Sequence, residues 1–190
     1  IMGDDSAYRE EGPAHAVSVS GFWMDAHEVS NAQFAKFVEE TGYISVAEQS
    51  PNPADWPADV PAEFLQPGSV LFVPPLAGQP ADNWWSWVAG TNWRHPDGPD
   101  SNITGRDNYP VIHIAFEDAE AYAKWAGRSL PTEAQFELAA RNKKNQRFAW
   151  DGNELAPNGH HKANTWQGSF PTQNEVEDGH EGLAPVGCYE

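Results

Sequence analysis

Oxygen-bearing side chains concentrate in residues 164–180, which read NTWQGSFPTQNEVEDGH. Four of them, Asn164, Glu175, Glu177 and Asp178, are predicted to face solvent. A hard cation such as Ca²⁺ takes about six to eight oxygen ligands from carboxylates, amides, backbone carbonyls and water. Asn164 and Asp178 can share such an ion only if the stretch folds back on itself. The stretch is a candidate calcium loop, with turn and capping roles for the same side chains as the alternative.

Two aromatic residues, Trp166 and Phe170, lie inside the same stretch. By packing inward they could pin a polar loop to the rest of the molecule. The spacing of the polar residues differs from the EF-hand pattern. The residues alone therefore leave both readings open, a calcium loop and an ordinary surface loop.

Motifs typical of common enzyme classes are absent from the sequence. It contains no G-x-G-x-x-G, no P-loop, no H-E-x-x-H and no G-x-S-x-G. The adjacent pair His160 and His161 lies in a glycine-containing segment and is typical of solvated surface. The spacing around Cys188 does not indicate a nucleophile.

Local capping signals predict three helices. Ser30 and Gln33 form a capping box for a helix over residues 31–41, which Gly42 ends. A second helix is predicted over residues 117–126, with Gly127 after it. Thr132 and Gln135 form the capping box of a third helix, which runs to Arg141.

Hydrophobic patterning predicts three strands. Residues 14–24 alternate around Val17 and Val19, and a short apolar run covers residues 69–73. Residues 110–116 are apolar on both faces, which favours a central strand. His113 lies within that segment and is interpreted as a hydrogen-bonded core histidine rather than a ligand.

Much of the remaining chain is predicted to be irregular, consistent with 16 prolines and 16 glycines. Residues 50–82 read as a long loop around the strand at 69–73, and residues 142–190 read mostly as loop. The segment 83–99 carries four tryptophans and forms either a hydrophobic plug under the loop or a wall of a peptide groove. Together these elements predict the α+β class with few strands, three or so short helices and much ordered irregular chain.

Length and charge exclude several classes of function. A chain of 190 residues is expected to form one domain. Its formal charge of −17 argues against nucleic acid and against anionic membrane surfaces as partners. No run approaches the roughly 18 apolar residues of a membrane span. The single cysteine, Cys188, allows no internal disulfide and suits a reducing cytosol.

Longer motifs in order along the chain carry a resemblance to a known family. They include TNWRHPDGPDSNI at 91–103, WAGRSLPTEAQFE at 125–137 and NTWQGSFP at 164–171. These stretches closely resemble the formylglycine-generating enzyme, or sulfatase-modifying factor, family. The resemblance covers nearly the whole chain apart from a variable stretch at about 45–80.

The resemblance implies a C-type-lectin-like fold stabilised by calcium. It implies oxidation, by oxygen, of a cysteine in a Cys-x-Pro-x-Arg segment of a sulfatase polypeptide to Cα-formylglycine. It also implies copper bound by two cysteines, since soft thiolates select Cu(I). The calcium ligands that it carries over are the side chains of Asn164 and Asp178 and the carbonyls of Thr165 and His180. Glu175 and Glu177 then remain as solvent-facing charge.

Departures from the family pattern limit what this chain is expected to do alone. The copper-binding cysteine pair is expected beyond residue 190, so residues 1–190 form the N-terminal and central part of a single domain without catalytic residues. Four side chains are expected to shape or support the substrate groove: Trp84, Trp85, Trp93 and His95. Ala123 and Ala140 stand where secretory relatives carry cysteines, which indicates a bacterial cytoplasmic protein, with export as the alternative.

Two other functions are compatible with the same motifs. One is a non-catalytic calcium-binding member that acts as a binding or regulatory module. The other is an iron-dependent oxygenase similar to the sulfoxide synthases of thiol-histidine biosynthesis, which rely on a partner helical domain of which the sequence carries no trace.

Overall fold

The computed structural model describes residues 1–6, 8–75, 84–141 and 148–189. Its contacts group the chain into two compact units. The first unit comprises Ile1–Ala26 and Ser129–Lys162, and the second comprises His27–Arg128 and Ala163–Glu190. Parts of the predicted loops, residues 76–83 and 142–147, lie outside the described residues. The single domain over residues 1–190 stays a prediction.

Helix α1 of the second unit spans Asn31–Thr41, as predicted. The Ser30 hydroxyl accepts the Gln33 N–H at 3.3 Å, and the Gln33 side chain accepts the Ser30 N–H at 2.9 Å. This reciprocal box satisfies two donors at the start of the helix. Gly42 ends it in the left-handed conformation, with φ of 68°.

The core of the second unit forms where α1 meets helix α2, Phe116–Trp125. Phe34 and Phe37 of α1 are almost fully buried, and the Trp93 ring lies 5.2 Å from that of Phe34. The α2 residue Trp125 lies 5.5 Å from Phe37. This aromatic packing fixes the two helices and the loop around Trp93.

A two-stranded antiparallel sheet lies in the same unit. Strand β1 spans Gly68–Phe72 and confirms, shifted by one residue, the strand predicted at 69–73. Strand β2 spans Trp85–Ala89, inside the tryptophan-rich segment for which no strand was predicted. In their register, Ser69 faces Val88.

The central strand predicted at 110–116 is wrong. Pro110 makes one isolated bridge with Ser30, and Phe116 already begins α2. Between them, His113 has φ of 59°, a left-handed conformation that cannot continue an extended strand. The apolar run is therefore partly buried irregular chain, which periodicity alone does not distinguish from a strand.

The first unit contains helix α3, Glu133–Arg141, with the predicted capping box. The Thr132 N–H donates to the Gln135 side chain at 2.9 Å, and the Gln135 N–H donates to the Thr132 hydroxyl at 3.3 Å. The α3 carboxylate of Glu137 accepts the Gly3 N–H at 2.9 Å. Helix α3 thereby holds the turn near residue 3.

The strand predicted at 14–24 is also wrong. Only His15 pairs, in an isolated bridge with Met2, and Val17 is 40% exposed. Alternation creates a strand only where a neighbouring strand takes up the backbone hydrogen bonds, and the described residues supply none for Val17 and Val19.

The described residues confirm the α+β class, with three α-helices and one small sheet. The part of the predicted C-terminal loop that the structure describes, residues 148–189, is irregular apart from a 3₁₀ turn at Pro157–Gly159. None of the described helices is both long and apolar enough to cross a membrane.

Candidate functional site

The candidate calcium loop folds back on itself, so Asn164 and Asp178 belong to one local structure. One Asp178 carboxylate oxygen accepts the Thr165 N–H at 3.0 Å, and the other accepts the His180 N–H at 3.0 Å. The Asn164 amide donates to the Gly182 carbonyl at 2.7 Å. Asp178 thus joins the beginning and the end of the loop.

Gln167 braces this turn from within. Its side-chain nitrogen donates to the Thr165 carbonyl, and its side-chain oxygen accepts the Asp178 N–H at 3.3 Å. Gln167 is itself buried, at 9% exposure. The Gln167 side chain thus holds the Thr165 carbonyl and the Asp178 N–H close together, because it is hydrogen-bonded to both.

The donor chemistry of this loop fits Ca²⁺. The four predicted ligands, Asn164, Thr165, Asp178 and His180, supply amide, carbonyl and carboxylate oxygens, which hard cations prefer. Among the described residues, no three His, Cys, Asp or Glu side chains converge as they would in a carboxylate-rich or imidazole-rich site. A cation here would depend on backbone and amide oxygens around one carboxylate.

The other side chains of the loop lie as the sequence predicts, with one qualification. Glu175 and Glu177 are exposed. Trp166 packs with ring centroids 5.8 Å from Phe72 and 5.2 Å from Phe170. Phe170 is 52% exposed, so it anchors the loop with one face only.

The four side chains predicted to form a groove differ in their contacts and exposure. Trp84 lies 5.2 Å from the Phe170 ring, and the half-exposed Trp85 packs 5.6 Å from Phe72. Trp93 is 1% exposed and can only support a groove from beneath. His95 lies in a turn, with Nδ1 2.6 Å from the Ser101 carbonyl. Their groove role stays a prediction.

A cavity of about 600 Å³ lies elsewhere in the second unit. Its walls are segments 46–56 and 113–115, the start of β1, and Trp87 of β2. Trp56 and Trp87 give it aromatic surface, and Asp55 gives it a carboxylate. Sequence reasoning missed this cavity because its walls are far apart along the chain and no local pattern links them.

A buried carboxylate holds two walls of the cavity together. Asp118 is fully buried and accepts the Val46 N–H at 2.9 Å and the Ala115 N–H at 2.8 Å. It also accepts the Tyr43 hydroxyl at 3.0 Å. Burial, followed by this hydrogen bond to Asp118, raises the pKa of Tyr43 to about 12. Val46 and Ala115 both line the cavity, so Asp118 sets the distance between its walls.

Glu48 fixes the adjoining turn to the core. Its carboxylate accepts the Ser45 hydroxyl at 2.8 Å and the Trp93 indole N–H at 3.2 Å, and it lies 3.3 Å from the Arg94 side chain. Burial pushes the pKa of Glu48 upward, but the hydrogen bonds from Ser45 and the charge of Arg94 outweigh it and hold the pKa below its usual value.

His113 lines the cavity with both ring nitrogens engaged. Its Nδ1 lies 2.9 Å from the Ser69 hydroxyl oxygen, and its Nε2 lies 2.9 Å from the Pro96 carbonyl oxygen. This confirms the predicted hydrogen-bonded histidine, although it lines a cavity rather than a strand. The partner Ser69 was not foreseen, because 44 residues separate the two positions.

Comparison with known proteins gives a consistent result along the whole chain. The model of the sulfatase-modifying factor enzyme 1-like domain matches residues 1–190. A formylglycine-generating enzyme of Mycobacterium tuberculosis is 48% identical over 99% of this chain and 63% of its own length. A formylglycine-generating enzyme of Mus musculus is 46% identical over 98% of this chain and 49% of its own length.

A third relative has a different description. An inactive C-alpha-formylglycine-generating enzyme 2 of Mus musculus is 38% identical over 100% of this chain and 58% of its own length. The chain therefore spans between about half and two thirds of the length of these relatives.

Proposed function

We propose that this chain, which belongs to the family of sulfatase-modifying factor enzyme 1-like domains, acts within its whole protein as a formylglycine-generating oxidase. The reaction would convert the cysteine of a Cys-x-Pro-x-Arg segment in a sulfatase polypeptide to Cα-formylglycine with oxygen. The observation that carries the proposal is the family match over residues 1–190, together with 48% identity to a formylglycine-generating enzyme.

The cavity beside Trp87 supports a peptide substrate of this kind. The faces of Trp56 and Trp87 offer apolar surface on which a proline ring can pack. Asp55 offers a carboxylate for a guanidinium group, a pairing that is often bidentate. We propose that this cavity receives the proline and arginine of the substrate segment.

Copper is part of the proposed reaction, but the residues of this chain do not fit it. Cu(I) selects soft thiolate ligands, and the sequence holds one cysteine, the exposed Cys188. We propose that the copper-binding cysteines belong to a part of the whole protein outside this sequence. The contribution of residues 1–190 is then substrate binding and support of the scaffold.

Calcium is proposed as a structural ion of the loop at 164–182. Asn164, Thr165, Asp178 and His180 would hold it, and the hydrogen bonds of Asp178 and Gln167 support this assignment. When bound, the cation would neutralise the Asp178 carboxylate and tie both ends of the loop to one centre. No redox role follows from such a site.

The oxidase proposal is tested on the intact protein. Incubation with copper, oxygen and a Cys-x-Pro-x-Arg peptide should produce an aldehyde that an aminooxy reagent captures, and a peptide with serine in place of cysteine should give none. Asp55→Asn should raise KM about tenfold with little change in kcat, because it weakens ground-state binding of the arginine. An unchanged peptide would contradict the oxidase.

A non-catalytic binding module is the second candidate. The 38% identity to an inactive C-alpha-formylglycine-generating enzyme 2 over the whole chain favours it. The same experiment separates the two candidates, since a module of this kind binds the peptide and leaves its cysteine intact.

The compartment is also a proposal. One exposed thiol at Cys188, with alanines at 123 and 140, supports a reducing compartment such as the cytoplasm of a bacterium. Export remains the alternative.

A further inference from the structure

The ring of His113 bridges two segments of the cavity wall. Its Nδ1 lies 2.9 Å from the Ser69 hydroxyl oxygen on β1, and its Nε2 lies 2.9 Å from the Pro96 carbonyl oxygen. Its backbone adopts φ of 59°, which is uncommon for a residue with a side chain and is concentrated at functional sites. Two hydrogen bonds therefore hold the ring between β1 and the Pro96 carbonyl.

These contacts determine the tautomer of the neutral ring. A carbonyl oxygen can only accept, so Nε2 must carry the hydrogen that it donates to Pro96. Nδ1 is then an acceptor, and the Ser69 hydroxyl must donate its only hydrogen to it. In the other tautomer, the lone pair of Nε2 would face a lone pair of the Pro96 carbonyl oxygen, and the two would repel each other. Neutral His113 consequently leaves Ser69 Oγ able only to accept further hydrogen bonds.

The polarity of the cavity follows from this arrangement. Ser69 Oγ and the Asp55 carboxylate both line the cavity, and both accept hydrogen bonds. Among the described residues that line the cavity, there is no lysine or arginine. The wall is thus suited to a cationic ligand rich in N–H donors.

We propose that Ser69 is a specificity-determining acceptor for the guanidinium of the substrate arginine and that His113 is the positioning residue that fixes Ser69 in this role. The inference rests on the proposed function and adds the residues that select the arginine. Without the acceptor at Nδ1, the Ser69 hydrogen is free to turn into the cavity, where it would present a donor to the guanidinium.

The other charged groups near His113 are engaged elsewhere. Asp55 is the other ionisable residue among the described lining residues. On the adjoining elements, Glu48 is bonded to Ser45 and Trp93 and paired with Arg94, and Asp118 is bonded to Tyr43, Val46 and Ala115.

The test measures, by calorimetry at one neutral pH, the affinity of the intact protein for a Cys-x-Pro-x-Arg peptide. We expect Ser69→Ala to raise Kd roughly tenfold, the loss of one charge-assisted hydrogen bond. Ser69→Thr keeps the hydroxyl and should bind within about twofold of wild type. His113→Gln keeps a side-chain acceptor and donor and should bind like wild type, whereas His113→Leu removes both and should bind as weakly as Ser69→Ala.

Two controls separate the possible outcomes. His160→Gln removes an exposed histidine of the first unit and should bind like wild type. A peptide with leucine in place of arginine should bind weakly, and Ser69→Ala should not weaken it further. Absence of binding of any peptide to the wild type would overturn both the cavity assignment and this inference. Wild-type affinity in Ser69→Ala would overturn the specificity role, and wild-type affinity in His113→Leu would overturn the positioning role alone.

Discussion

Two carboxylates in this protein each accept hydrogen bonds from two backbone N–H groups. Asp178 accepts the N–H groups of Thr165 and His180, and Asp118 accepts those of Val46 and Ala115. Each carboxylate therefore joins two chain segments that have little regular secondary structure. Hydrogen bonds to a charged acceptor contribute about 1.5–3 kcal/mol each, more than neutral ones. The described chain has short helices and few strand residues, so such carboxylates hold segments together as the hydrogen bonds of a sheet would.

Replacing Asp178 with alanine tests this role of a single carboxylate. It removes the acceptor of two backbone N–H groups and the one carboxylate of the proposed calcium site, so we expect a loss of about 3 kcal/mol in the free energy of unfolding. In wild type, calcium at a hundred times its Kd should add about 2.7 kcal/mol. The variant should gain nothing from calcium when both are followed by thermal melting.

Glu175→Ala is the matched control for this prediction, because Glu175 is an exposed acidic residue of the same loop. It should melt close to wild type and keep the response to calcium. If calcium stabilises neither protein, no calcium site is present, whereas equal stabilisation of Asp178→Ala and wild type would place the ion elsewhere.

At the scale of elements, the sequence predicts what is locally determined. The helices α1, α2 and α3 were found within one residue because their signals are local, such as the Ser30 and Gln33 capping box of α1 and the glycine that follows α2. The strands predicted at 14–24 and 110–116 failed because pairing depends on distant segments. Strand β2 was missed for the same reason, since tryptophan-rich chain fits a plug, a groove wall or a strand.

The candidate site was likewise predictable only where its residues are close in sequence. The polar loop at 164–180 could be identified from composition, and Asn164 and Asp178 do belong to one folded turn. The contact of His113 with Ser69 and the cavity beside Trp87 could not be identified, because segments far apart in the sequence form them. Local patterns indicate which residues could bind, and only the tertiary fold shows which ones meet.

Gly68 begins β1 and lies close against the backbone of β2. A Cβ atom there would lie 2.6 Å from the Val88 carbonyl oxygen and 3.0 Å from Ala89 Cα on the opposite strand. Because both contacts are backbone, Gly68→Ala must separate β1 from β2, and we expect a loss of about 2 kcal/mol by denaturant unfolding. Gly21→Ala, where a Cβ meets nothing within 4 Å, should change stability by less than about 1 kcal/mol. Equal stabilities of the two variants would contradict this account of the strand pair.

At the scale of the whole molecule, charge is the dominant feature. The chain has 28 acidic and 11 Lys and Arg residues, which gives the formal charge of −17. Like charges at this density repel one another in the folded state and reduce its stability, while they favour solubility. The same field attracts cations and a substrate arginine, so the charge that costs stability also favours the proposed ligands.

This self-repulsion predicts a response to salt that differs from the response to calcium. Raising NaCl from about 0.05 M to about 0.5 M shortens the screening length severalfold and should raise the Tm. Asp178→Ala should keep this gain, because screening acts on the whole surface and needs no particular carboxylate. Calcium compared at equal ionic strength should add a further increase in wild type and none in Asp178→Ala. If NaCl lowers the Tm, local ion pairs such as Glu137 with Arg141 outweigh the net repulsion, and the acidic surface does not limit stability.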